Sequence, residues 1–198
     1  PPQPPLLCGP LWGGNKNHAR MPPVRRERPT AAVRSPVSGV VEAVRGTPTG
    51  PVVAVYIRGP FDARADDHVV HAPVDGALVG REAVAGTFRH GAGAGFVADQ
   101  GKRGHLVLRF AAHGLVTTVA LEVGSGYVTN EVRLEPELSG RLPVPVRAGQ
   151  PLGEIVVRPG NSRAFVRLPR SCAVAPGLRP GTELVGGRTV VASCATGF

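Results

Sequence analysis

Leu138-Ser139-Gly140-Arg141-Leu142, continued by Arg147-Ala148-Gly149-Gln150-Pro151-Leu152-Gly153-Glu154-Ile155, alternates turn residues with short apolar runs too closely for a helix to form. Two earlier stretches share this texture, Ser35-Pro36-Val37-Ser38-Gly39 and Ala72-Pro73-Val74-Asp75-Gly76. Each reads as a turn leading into a strand, with Gly supplying a positive φ that other residues resist. Working outward, the apolar runs predict strands over 39–44, 52–57, 77–83, 105–111, 116–123, 127–134, 154–157, 164–168 and 189–192. The 3.6-residue period of a helix is nearly absent. The expected fold is therefore mainly β, made of short antiparallel strands with at most one or two short helices.

Composition agrees. The chain has 198 residues, enough for one domain with a core, and its 27 Gly and 21 Pro fit many tight turns. Residues 1–30 are Pro-rich and basic without periodicity, and are expected to be a flexible tail ahead of a domain over 31–198. Met21, the only Met, is a candidate start within that tail. The Gly-rich stretch 86–104 reads as a long loop, a length usually tied to function or mobility.

The formal net charge is +9, and almost all the basic residues are Arg, the only lysines being Lys16 and Lys102. Such a surface favours an anionic partner, although a genome that favours Arg codons gives the same excess. Aromatics are only 5% of residues, which argues against a base-stacking nucleic-acid surface. Cys8, Cys172 and Cys194 form no C-x-x-C pair, and an odd, unpatterned set argues against a disulfide framework or a zinc site. No apolar run approaches the roughly 20 residues of a membrane-spanning helix, and no signal peptide is visible. The expected setting is cytoplasmic, with peripheral membrane association.

The succession of turn, strand, Gly-Gln-x-Leu-Gly and strand resembles barrel-sandwich folds, including biotin- and lipoate-carrying domains. Those carriers modify a Lys at a hairpin tip. Lys16 lies in the tail, and Lys102 lies in a Gly-flanked loop without the hydrophobic neighbours a carrier needs.

A more specific likeness starts at Asp66-Asp67-His68-Val69-Val70-His71-Ala72-Pro73-Val74-Asp75-Gly76, which has the pattern D-x-H-x-x-H-x-P-x-x-G. Downstream stand Gly149 to Ile155, then Gly160-Asn161-Ser162-Arg163, then Val166-Arg167-Leu168-Pro169, and finally Pro180-Gly181-Thr182 and Gly187 to Ala192. Together with Ser35-Pro36-Val37-Ser38-Gly39, and in this order over residues 31–192, these resemble the short members of the phosphatidylserine decarboxylase family.

The resemblance implies a protein that cuts itself and turns a Ser into a covalent pyruvoyl cofactor. By position Ser162 matches the pyruvoyl precursor and Asn161-Ser162 the cleavage site. His71 matches the base that activates Ser162, and His68 the histidine of the decarboxylation step. The substrate implied is a phospholipid, phosphatidylserine giving phosphatidylethanolamine, met at an anionic membrane surface; no metal and no nucleic acid is implied, and a homo-oligomer stays open. Two positions depart from the family pattern. Ser38 stands where the family has the Asp that orients the base, so Asp75, or Asp62 or Asp66, is a candidate substitute. Asn161 stands where the family has Gly, and Asn is the next most tolerant residue of positive φ. Such departures also fit a non-catalytic relative kept as a binding or structural module.

Independently of any family, two His beside Asp66 and Asp67 form a place where a pKa can be tuned near neutrality. The same residues equally describe two loop histidines held by neighbouring carboxylates. Three residues apart, His68 and His71 fall on opposite faces of a regular strand, so a shared site requires a bulge or turn before Pro73.

Overall fold

The computed structural model describes residues 30–58, 68–84, 104–123, 131–156 and 162–196. In chain order its strands begin with β1 (Thr30–Arg34), β2 (Gly39–Thr47), β3 (Gly50–Ile57), β4 (Val69–His71) and β5 (Gly76–Val84). Then come β6 (Gly104–Ala112), β7 (Leu115–Val123), β8 (Glu131–Leu134), β9 (Val144–Val146) and β10 (Pro151–Val156). The chain closes with β11 (Ser162–Arg167), β12 (Cys172–Val174), β13 (Glu183–Leu184) and β14 (Val190–Ala195). Among the described residues the one helical element is a 3-10 turn, Pro136–Ser139. The fold is mainly β and antiparallel, as the sequence predicts.

One large sheet has eight strands in the order β13-β2-β3-β11-β7-β6-β5-β9, and two three-stranded sheets run β1-β14-β12 and β4-β10-β8. Alternation along the strands sets the layers. In β11, Ser162, Ala164 and Val166 are buried while Arg163 and Phe165 are half-buried and Arg167 is exposed. The buried side of the large sheet carries Val53, Val55, Ile57, Leu108, Phe110, Val119 and Leu121. These join one core with Val33 and Val191 from one small sheet and Val70, Leu152 and Ile155 from the other. The result is a sandwich-like arrangement whose large sheet keeps a second face outside the core.

Local chemistry explains the best-read hairpin. His113 and Gly114 join β6 to β7, both with positive φ (50° and 75°), and Ala112 pairs directly with Leu115. A two-residue turn of this hand matches the right-handed twist of the flanking strands. The shared turn texture has less uniform causes than the sequence suggests. Gly39 has φ 157°, but Gly76 is not in a positive-φ conformation and Gly140 has φ −76°. At Gly76 the requirement is close approach, because a Cβ there would collide with the carbonyl of Ala111.

The predicted strand 127–134 is described only as β8, residues 124–130 lying outside the described set. The stretch 85–103, which contains nearly all of the predicted long loop, is likewise outside it, as are residues 1–29 of the predicted tail. Thr30, placed by sequence in the tail, opens β1 and pairs with Ala195.

The cysteine reading needs correction. Cys172 and Cys194 are joined by a disulfide. They sit directly opposite one another in the β12–β14 ladder, a register that spacing in the sequence does not encode. Such bridges persist in oxidising surroundings, which bears on the cytoplasmic setting that the sequence suggests. Cys8 lies outside the described residues.

Phe110 is fully buried and pairs across the ladder with Leu78, itself fully buried. Phe110→Ala is expected to lower the unfolding free energy by about 3–5 kcal/mol, measured by urea titration. The disulfide closes a sequence separation of 22 residues. The double variant Cys172→Ala/Cys194→Ala is expected to cost about 3 kcal/mol by the same titration.

Candidate active site

Residues far apart in sequence meet where β2 begins, β3 ends and β4 passes. The turn before β2 is locked from within, Ser35 Oγ donating to Val37 O at 2.7 Å in a fully buried position. It is locked from outside by the segment following β13. Gly187 N donates to Ser35 O at 2.8 Å, and Gly186 N donates to Ser38 Oγ at 2.9 Å. The partners in that second bond are 148 residues apart. Arg34 Nη1 donates to Gly187 O at 3.2 Å, bringing a guanidinium to the same turn.

His71 packs onto this interlock. Its backbone N donates to Pro36 O at 2.7 Å, and its ring lies against Gly186 and Gly187. A Cβ on Gly186 would stand 2.9 Å from His71 Nδ1, and one on Gly187 would stand 2.8 Å from His71 Cδ2. Gly187 also has φ 69°. Sequence reading assigned these two glycines no role, and only their contact with an imidazole from a distant strand reveals it.

His68 approaches the same end from the β3 side. Its Nε2 lies 3.1 Å from Arg58 O, and its carbonyl accepts from Ile155 N at 2.8 Å. Arg58 follows Ile57, the residue that faces Ser162 in the β3–β11 ladder. Ser162 and His68 thus both border the end of β3, and Ser162 is fully buried. The Arg58 side chain reaches across to Glu183 of β13, on the other side of β2. An irregularity does occur beside the two histidines, but in the partner strand. The β4–β10 register slips between Pro151 and Gly153, opposite His71 and Val70.

Ser162 is followed by a charged clamp. Arg163 Nε and Nη2 donate to the two carboxylate oxygens of Glu42 at 2.7 and 2.8 Å. Glu42 is the residue that the β2 bulge leaves between Val41 and Ala43, so the clamp crosses β3 from β11. The bond to Glu42 raises the Arg163 pKa above its ordinary value; burial works against this, and the charges of Glu42 and Glu122 add to it.

The remaining candidates lie elsewhere. Asp75 is exposed, and its Oδ1 accepts from Ala148 N at 3.0 Å, pinning the turn before Gly149. Ser38 is bonded to Gly186, the glycine against which the His71 ring packs. Asn161, Asp62, Asp66 and Asp67 are outside the described residues. No group of three or more His, Cys, Asp or Glu among the described residues is arranged to hold a metal. No helix of the described residues is long and apolar enough to cross a membrane. No family model, curated protein or solved structure matches the chain.

Ser38→Ala removes the acceptor for a buried backbone N–H, so it should cost about 1–3 kcal/mol in urea titration and shift the His71 ring resonances in NMR. Ser193→Ala, on an exposed position of β14, should leave both unchanged.

Proposed function

We propose that the chain is a self-cleaving, pyruvoyl-dependent decarboxylase of the phosphatidylserine decarboxylase type, acting on a phospholipid at a membrane surface. The observations that support this reading are the His71 ring packed on the Gly186–Gly187 turn that also bonds Ser38, and the positions of Ser162 and His68 beside the end of β3. Their order along the chain is the order of the family motifs they resemble.

In this reading the Ser162 hydroxyl attacks the carbonyl carbon of Asn161, and His71 accepts its proton. The peptide C–N bond breaks as the ester C–O bond forms. Loss of the Ser162 α-proton then expels the upstream piece as a carboxylate. The dehydroalanine left at position 162 takes up water and releases ammonia to give the pyruvoyl end. That group supplies the carbonyl that accepts the electrons left behind when CO2 departs. Ser162 suits it, being fully buried at the first position of β11. β11 is paired with β3 from Ser162 onward and with β7 from Arg163 onward, so a carbonyl formed at position 162 stays anchored at the start of the strand. To His68 we assign delivery of the proton to the carbon that has lost CO2.

One observation favours a second reading, a non-catalytic relative. Ser38 offers a hydroxyl already bonded to Gly186 N where a carboxylate would stabilise an imidazolium. Intact-mass analysis after prolonged incubation separates the two readings. The decarboxylase reading expects two pieces that stay together, the smaller beginning at residue 162, refractory to Edman sequencing and reactive toward carbonyl reagents. Ser162→Ala should remain whole. Ser38→Asp is expected to accelerate cleavage by about tenfold or more, since loss of an orienting Asp slows serine-protease triads by roughly 10⁴-fold. One uncleaved species in the parent, Ser162→Ala and Ser38→Asp chains alike would establish the non-catalytic reading.

A further inference from the structure

The face of the large sheet that points away from the core carries a regular line of charge. Following the ladder pairings across it, Arg45 of β2 pairs with Val52 of β3, and Val52 with Arg167 of β11. Arg167 pairs with Thr118 of β7, and Thr118 with Arg109 of β6. The three arginines therefore occupy alternate strands of one row. Neighbouring strands lie about 4.8 Å apart, so successive guanidinium stems are spaced by roughly 10 Å.

All three arginines are exposed, and the side chains between them are a Val and a Thr. Arg109 lies over Gly80, whose missing Cβ would stand 3.2 Å from the Arg109 Cβ, and it pairs with Glu82 at 2.9 Å. No carboxylate among the described residues pairs with Arg45 or Arg167. Two of the exposed large apolar residues adjoin the Arg109 end of the row. Val116 of β7 is 50% exposed, two residues before Thr118, and Val79 of β5 is 40% exposed where the β5–β6 register slips. On the other side of the row Phe165 is half-buried on the same face.

We propose that this face docks the protein on an anionic lipid bilayer, with the Arg45–Arg167–Arg109 row bound to headgroup phosphates and Val116 and Val79 entering the interface. Charge complementarity selects the occupant. A second copy packed face to face would bring two cationic rows together. Single-stranded nucleic acid asks for a succession of stacking aromatics, and this face offers Phe165 and Tyr56, the latter facing the clamped Arg163. An anionic bilayer satisfies the charged row and the exposed valines at once. The inference rests on the lipid-substrate reading only in preferring a bilayer to other polyanions.

Flotation of the full chain with phosphatidylcholine vesicles, with and without phosphatidylglycerol, tests it. Neither lipid has a serine headgroup, so binding is read separately from decarboxylation. The parent chain is expected to float only with the anionic vesicles. Each row arginine is worth about fivefold in partitioning, so Arg45→Glu/Arg167→Glu should lose about tenfold or more. Arg45→Gln/Arg167→Gln should lose somewhat less, and Val116→Ser should weaken binding while leaving the row intact. Arg179→Glu, an exposed arginine in the loop before β13, should stay within about twofold of the parent. Urea titration of each variant reports whether it is folded, and the Gln pair serves if the Glu pair is not. Equal flotation of parent and row variants, or no flotation of the parent, overturns the proposal. So does a single-stranded oligonucleotide that binds more tightly than the vesicles and is lost with the same row. A concentration-dependent dimer abolished by the row variants would do so in favour of a second copy.

Discussion

No side chain fits at positions 186 and 187, and the candidate site depends on that. The His71 ring fills the space two Cβ atoms would need, while the backbone N–H groups of the same two glycines hold Ser38 and Ser35. Gly149 closes in from another side, since a Cβ there would stand 2.7 Å from Gly187 O. Three segments distant in sequence are thereby fixed by one stretch of bare backbone. Buried backbone groups that lose their partners cost about as much as a lost hydrogen bond, so the turn is held as firmly by what it satisfies as by what it excludes. The arrangement cannot form from a local fragment.

The strand that begins with Ser162 is positioned differently, by charge and by ladder. Arg163 grips both oxygens of Glu42 across an intervening strand, and the bulge in β2 is what frees Glu42 to be gripped. A guanidinium whose pKa is raised further stays charged across the whole working pH range, so deprotonation of Arg163 never releases the clamp. Exposed ion pairs are weak as a rule, and this one earns about 1 kcal/mol at most from its bidentate geometry. Its larger effect is to fix the neighbour of a buried serine in register.

Apolar runs bounded by Gly and Pro made the long strands legible, since β2, β3, β5, β6, β7 and β11 each fall on one such run. Among the described strands of two to five residues, only β8 was legible. β1, β4, β9, β12 and β13 owe their state to partners supplied by the tertiary fold, and nothing in Val69–His71 or Glu183–Leu184 marks them in isolation. The histidine segment, Ser162 and the Ser35–Gly39 turn could be singled out from their motifs. Gly187 also stands in a motif, but its contact with His71, the part played by Gly186 and the Arg58 carbonyl could not be read there, since a backbone atom carries no sequence signature. Asp75 is a candidate because it occupies, in the similar Ala72–Gly76 turn, the place that Ser38 has in its own. Similar turns do not share surroundings, and this one faces Ala148. The disulfide was missed for a related reason, as facing positions in β12 and β14 are defined by register and not by spacing.

β11 lies in the interior of the eight-stranded sheet, with β3 on one side and β7 on the other. A chain cut just before Ser162 would leave the upstream piece without the strand that joins β3 to β7. The downstream piece would hold β11 to β14, whose partners β1, β2, β3 and β7 are all upstream apart from the β12–β14 pair. Folding, a first-order event for the continuous chain, would become an encounter between two molecules. The melting temperature of the cut protein would then rise with its concentration, and dilution during refolding would keep the halves apart. Such a protein could assemble once, as a single chain, and afterwards persist chiefly because it does not come apart.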